Sequence, residues 1–190
     1  MPEANPAAVS FLANRRSRPA KTLTTPVPTR DQLKDLLTIA ARTPDHGKME
    51  PWRFIVLETA ALKRLAETIP HYCTDLDPEK TAKLVAQFAN ADLAVAVIAS
   101  PKPSEKIPEI EQTLSAGAVA MNLLSAALAA GWGANWLSGW ISHHRPWREE
   151  HLNLAANEWI AGFIHIGTER MAPPERPRPD LSNIVTWVES

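Results

Sequence analysis

The stretch from Gln112 to Ser142, QTLSAGAVAMNLLSAALAAGWGANWLSGWIS, decides how this chain folds. It contains no charged side chain. Its first half, Leu114 to Gly131, is almost long enough to cross a bilayer. However, it is rich in Ala, Gly and Ser, includes Asn122, and is only mildly apolar. Small residues on every side suit a helix packed inside a protein, or across a dimer, better than one in lipid. The helix is expected from about Ile110 to Ala130, stopping at Gly131, which suits a left-handed cap. Ala134 to Leu137 then reads as a strand.

Working outward, Leu93 to Ala99 is a continuous apolar run of strand length, which implies a strand buried on both faces. Trp52 to Leu57, bounded by Pro51, is a second strand, and Trp159 to Gly167 a last one. Near the start, Val9, Leu12 and Ala13 share one face of a short helix. Lys21 to Pro28 is an extended connector, after which Thr29 is an N-cap with Gln32 at the capping-box position. The following helix buries Leu33, Leu36, Leu37 and Ala40 and ends before Pro44. Further helices are expected over Thr59–Glu67, Glu79–Asn90 and Pro146–Leu152, with loops over Pro70–Pro78 and Lys102–Pro108. The sum is an α+β layered domain, a central sheet of about four strands with helices on both sides.

At 190 residues the chain is one domain, long enough to bury a sizeable core. A net charge of −1 offers no electrostatic case for nucleic acid or an anionic membrane as partner. The single cysteine, Cys73, excludes an internal disulfide and suits a reducing compartment. Its neighbours His71 and Tyr72 supply no activating cation. The start of the chain has no basic-then-apolar signal pattern, so the expected location is the cytoplasm. Four prolines between Pro173 and Pro179 preclude regular structure, leaving 171–190 as a tail or an arm laid over a neighbour. No His, Cys or carboxylate spacing supports a metal site, and Ser115, Ser138 and His143–His144 form no hydrolytic triad.

Five short motifs stand in order between Asn14 and Thr168. They are Asn14-Arg15-Arg16-Ser17; Ala41-Arg42-Thr43-Pro44-Asp45-His46 with Pro51-Trp52-Arg53-Phe54; and Ser115 to Leu124 in the long helix. Gly131-Trp132-Gly133-Ala134-Asn135-Trp136-Leu137-Ser138-Gly139 and Phe163-Ile164-His165-Ile166-Gly167-Thr168 complete the set. On its own, Arg15-Arg16 could simply finish a helix, where cations offset the C-terminal dipole. Two guanidiniums beside a hydroxyl can also clamp a phosphate or polyol with directional hydrogen bonds. Together the five motifs resemble the nitroreductase family of FMN-dependent oxidoreductases, in its small single-domain subgroup.

That resemblance implies a central mixed or antiparallel sheet and an intertwined homodimer with FMN at its interface. It makes residues 1–170 the FMN-binding domain and 171–190 an arm able to pack on the partner. Arg15, Arg16 and Ser17 would hold the phosphate and ribityl chain, and Arg42 and His46 would reach the flavin from the same or the other subunit. Trp136, Leu137 and Ser138 would lie against the isoalloxazine. The turn Ala126, Ala127, Leu128, Ala129, Ala130 and Gly131 would contact the nicotinamide dinucleotide, and Arg170 could reach the phosphate. The implied reaction is ping-pong, with hydride from NAD(P)H passed through FMN to a nitroaromatic, quinone or related small oxidant, and no protein side chain is required as a catalyst. A flavin store, sensor or electron-transfer protein is the alternative.

Three departures from the family pattern stand out. Pro19 occupies a place where many members carry Lys or Arg facing the N1/O2 edge of the flavin. Arg42 is the first candidate to supply that charge, and Arg18 the second. Lys48 and Glu50 stand where Asn and Gln are usual, and a carboxylate at position 50 disfavours an anionic reduced flavin. Few bulky aromatics remain for a substrate lid, the choices being Trp132, Trp140, Tyr72 and Phe88.

Overall fold

The central strand owes its place to having nothing but apolar side chains. In a computed structural model that describes residues 3–189, β3 (Leu93–Ala99) is buried along its whole length. It pairs antiparallel with β2 (Trp52–Glu58) on one edge and β5 (Trp159–Glu169) on the other. The far edge of β5 takes β4 (Gly133–Leu137), and the two-residue β1 (Leu23–Thr24) pairs with its C-terminal end. Every pairing in this five-stranded sheet is antiparallel. The expected sheet of about four strands is therefore present. β1 is the addition: it forms inside the expected connector because Glu169 and Thr168 offer it a ladder.

Helices cover both faces. On one, α2 (Arg30–Ala40) and α5 (Glu109–Ala129) pack on Val95, Val97, Ile164 and Ile166. On the other, α3 (Thr59–Thr68), α4 (Pro78–Ala89), α6 (Trp140–His143) and α7 (Arg145–Leu152) enclose Ala96, Ile98, Ile160 and Phe163. The register slips by one between Val97 and Ile98, so Ala161 of β5 has no partner on β3. Such a bulge changes which residues share a face, and it puts Ile160 and Phe163 in the same core.

The uncharged stretch is α5 and β4. Gln112, Ser115, Ala116, Val119, Ala120, Leu123, Leu124, Ala126 and Ala127 form one buried stripe at helical spacing. Its end is a Schellman cap: Trp132 N–H donates to the Ala127 carbonyl at 3.0 Å, Gly131 N–H donates to Leu128 at 3.1 Å, and Gly131 has φ +85°. Among the described residues α5 is the one helix long and apolar enough to cross a membrane, and about half of its most apolar window is buried in the fold.

Local signals set most of the other boundaries. Thr29 and Gln32 exchange both capping-box hydrogen bonds at the start of α2. α4 begins at Pro78, one residue before the expected Glu79, because the Asp77 carboxylate caps Glu79 and Lys80 N–H and Pro78 fits the first turn. The expected loop before it contains a 3-10 turn, Ile69–Tyr72. The loop 102–108 is tied to the core by Gln112, whose amide exchanges two hydrogen bonds with the Lys102 backbone.

α1 (Pro6–Asn14) has no buried residue, and Val9 and Leu12 are each about two-thirds exposed. The proline-rich arm runs past it. Arg16 donates to the Pro174 carbonyl at 3.1 Å, and Arg178 to the Ala13 carbonyl at 2.9 Å. Beyond a 3-10 turn at Leu181–Asn183, the arm exposes Ile184, Val185, Trp187 and Val188. The outermost residues of the two expected ranges, 1, 2 and 190, lie outside the described residues.

Candidate functional site

α1 ends at Asn14, and the next residues are pinned to β4 and β5. Arg18 N–H donates to the Ala134 carbonyl at 2.8 Å, the Asn135 amide donates to the Arg18 carbonyl at 2.6 Å, and the Arg18 guanidinium stands 2.8 Å from the Glu169 carboxylate as an ion pair. This holds Arg15, Arg16 and Ser17 in a half-buried row. Arg15 reaches the Ser17 hydroxyl at 3.5 Å. The Nε–H groups of Arg15 and Arg16 are both buried without a partner. Burial first, and then the neighbouring Arg16 charge, pulls the Arg15 guanidinium below its usual pKa. Two like charges with unmet donors are costly to keep together. An anion with several oxygens relieves both terms, and a phosphate has the geometry for it. The residues present therefore fit the phosphate end of a nucleotide-like cofactor.

A second cluster lies on the loop between α2 and β2, and α5 sets its shape. Asn122 donates to the buried Thr43 hydroxyl at 2.7 Å, and Thr43 donates to the Ala40 carbonyl. Ser115 donates to the Pro44 carbonyl at 2.8 Å and accepts from the Trp52 indole at 3.1 Å. His46 Nδ1 lies 2.6 Å from Glu111, and both are surface groups. Arg42 is exposed. The Asp45 carboxylate accepts from Met49 and Glu50 N–H, curling the chain through left-handed backbone at Gly47, Lys48 and Glu50. Thr43, Ser115 and Asn122 lie within the motifs and tie this loop to α5. Their signal was polarity in an otherwise apolar helix and its facing loop.

The third group follows α5. Trp136 is half-buried, donates to the carbonyl of the bulge residue Ala161 at 3.2 Å, and lies against Gly162, where any Cβ would overlap the indole. Leu137 is half-buried and Ser138 exposed. In the turn before them Ala126 and Ala127 are buried and Leu128 is half-buried, while Ala129, Ala130 and Gly131 face solvent. Arg170 is exposed and donates to the Thr24 hydroxyl.

Of the aromatics considered for a lid, Phe88 is unavailable. It is 1% exposed and packs edge-on against Trp147 and Phe163. Tyr72 is committed to Glu150 and His151, and Trp140 stacks on His144. Trp132 stays half-buried beside the α5 cap. Arg18, engaged by Glu169, is also a poor source of the charge that Pro19 lacks.

The structure brings Arg15, Arg16 and Ser17 beside β4, near the C-terminal end of α5. It puts His46 at the opposite end of that helix. At 1.5 Å per residue the 21-residue helix is about 30 Å long, so His46 stands far from the arginine row within one chain, whereas Thr43, held on Asn122, keeps Arg42 nearer the C-terminal half of the helix.

A half-buried arginine pair beside a hydroxyl, carried on an antiparallel α+β layer, is a place for the anionic group of a nucleotide-like cofactor. Comparison with known proteins agrees. The profile of the Nitroreductase family matches residues 12–168. A protein of Escherichia coli K12 named "Putative NAD(P)H nitroreductase YdjA" is 33% identical over 183 residues, covering 95% of this chain and 98% of its own. The solved nitroreductase-like family protein from Bacillus cereus covers both chains fully, with TM-score 0.79 and 23% identity. An FMN-dependent nitroreductase from Clostridium difficile R20291 superposes with TM-score 0.62 over 92% of this chain and 93% of its own, at 18% identity. The chain belongs to the nitroreductase family and is an oxidoreductase.

Proposed function

We propose that this protein is an FMN-dependent oxidoreductase that takes reducing equivalents from NAD(P)H and delivers them to a nitroaromatic, quinone or related small oxidant. The observation that carries this reading is the pair of buried, unpartnered Nε–H groups of Arg15 and Arg16 beside the Ser17 hydroxyl. Those three residues would take the phosphate and the adjoining polyol. Trp136, Leu137 and Ser138, which follow from the same β4 that pins Arg18, would border the ring system. The exposed part of the turn 126–131, Ala129 to Gly131, would meet the dinucleotide.

When bound, FMN supplies the two-electron chemistry in a ping-pong cycle, with NAD(P)H and oxidant using the site in turn. The chain's residues bind, orient and set charge around it. Arg42 is the cation available for the flavin edge that faces Pro19. The separation along α5 leaves His46 to come from the other subunit, while Arg42 reaches the flavin from the same or the other one.

A homodimer is the natural complement. The face of α5 opposite its buried stripe carries Leu114, Gly117, Ala118, Met121 and Ser125, without a charge, and nothing lies within 4 Å of a Cβ placed at Gly117. Leu114 and Ile110 are each more than 60% exposed, as are Val9 and Leu12 on α1. Trp187 and Val188 of the arm are about 85% exposed, which fits an arm that embraces a partner. The expected setting is the cytoplasm. Apoprotein titrated with FMN and followed by sedimentation tests the reading: two chains carrying two flavins support it, and a monomer that takes up no flavin refutes it.

A further inference from the structure

His165 sits on the α4 side of β5, 3% exposed, on the sheet face opposite the Trp136 indole, which pairs across from Ile164. Burial alone, with no hydrogen bond or neighbouring charge contributing, pushes its pKa down to about 4, so the ring is neutral at pH 7. Among the described residues no hydrogen bond contributes to the state of the ring, and a neutral imidazole offers one donor and one acceptor nitrogen. His165 lines a crevice of about 250 Å³ together with Ala20, Ala86 and Ala91 and with Lys21, Lys83, Gln87 and Asn90. Lys83 is shared with Glu79 on α4, whereas Lys21 has no ion-pair partner among the described residues. The lining contains two ammonium groups, two amides and no carboxylate. Asp92 borders a separate void of about 10 Å³ that His165 also lines.

We propose that this crevice is a second binding site, which takes a small organic carboxylate with a compact apolar body. Lys21, with Lys83 beside it, meets the carboxylate. The three alanines cover the hydrocarbon, and Gln87, Asn90 and the His165 ring supply directional polar contacts. Lys21 closely follows the Arg15–Pro19 segment, so an occupant lies next to the backbone that carries the phosphate cradle, without entering it.

The test uses the full-length protein saturated with FMN and labelled with ¹³C at the six histidines, with benzoate as the probe and benzylamine as its cationic counterpart. Benzoate is expected to shift the His165 ring resonance saturably, and benzylamine to leave it in place. Lys21→Met, a surface change compatible with folding, is expected to weaken benzoate by roughly three- to tenfold, the worth of one charge-assisted contact at a partly open rim. His165→Phe assigns the resonance by its disappearance from the spectrum. The proposal is overturned by the absence of a saturable shift at His165, by equal binding of benzylamine, by unchanged affinity in Lys21→Met, or by a response in flavin absorbance with His165 unmoved.

Discussion

Replacing Arg15 with alanine isolates the cradle, because its side chain holds nothing else. Among the described residues its one side-chain hydrogen bond is the 3.5 Å approach to Ser17, whereas Arg16 also anchors the arm through Pro174. A hydrogen bond to a charged partner contributes about 1.5–3 kcal/mol. Removing Arg15 also relieves the repulsion it shares with Arg16, which places the net loss at the lower end, about 2 kcal/mol, or roughly thirtyfold in Kd. Arg15→Lys keeps the charge and loses the planar fork, so about 1 kcal/mol, a factor of roughly five, is expected. The assay is quenching of FMN fluorescence by apoprotein at low and moderate salt. Both variants should retain the wild-type far-UV spectrum and thermal midpoint, since no structural partner is lost. Tight FMN binding by Arg15→Ala, within twofold of wild type at both salt concentrations, would refute the assignment of the phosphate to this pair.

Four further outcomes follow from the same structure. Glu158 is 7% exposed, accepts two 2.7 Å hydrogen bonds from Arg53, and has its pKa lowered to about 2 by that pair, so its contribution is complete above the unfolded value near 4.5 and is lost as pH falls towards 2. Discounted for the half-exposed Arg53, that is about 2 kcal/mol; melting scans should show it disappear over that window in wild type and already be missing in Glu158→Gln. Gly162→Ala forces the indole off Ala161 and should cost about 1–3 kcal/mol, with a changed Trp fluorescence maximum; an unshifted emission and midpoint would contradict the packing. Glu50→Gln should raise the midpoint potential of bound flavin, and no upward shift in a spectroelectrochemical titration would remove Glu50 from the flavin's surroundings. Leu114→Glu, placed on the open face of α5, should yield monomer in sedimentation; a persistent dimer would put the interface elsewhere.

Much of the fold could be read from local pattern. The apolar run of β3, the cap at Gly131 and the Thr29 capping box each carry their own physical signal. What escaped depended on distant partners. β1 exists only because residues 168–169 supply its ladder. The four-residue α6 is too short to show a period. Arg18 is held by Glu169, a partner far along the chain that no local pattern announces. Phe88 differs from these: it lies four residues from Leu84 on the buried face of α4, a spacing that marks core, not lid, in the sequence itself. At the site, the arginine pair was legible as an anion clamp. That α5 holds Arg15 and His46 far apart was not, because it follows only from knowing which end of the helix each loop meets.

The account stands or falls on whether the chain carries a flavin that a nicotinamide donor can reduce. The direct measurement is an anaerobic absorption spectrum of the FMN-loaded protein, before and after NADPH or NADH, then after addition of a quinone or nitroaromatic. The account predicts a bound-flavin spectrum that bleaches with at least one donor and returns with the oxidant. Bound flavin that neither donor bleaches would contradict the reductase reading and favour a storage or partner-driven protein, and a spectrum without bound flavin would contradict the cradle itself.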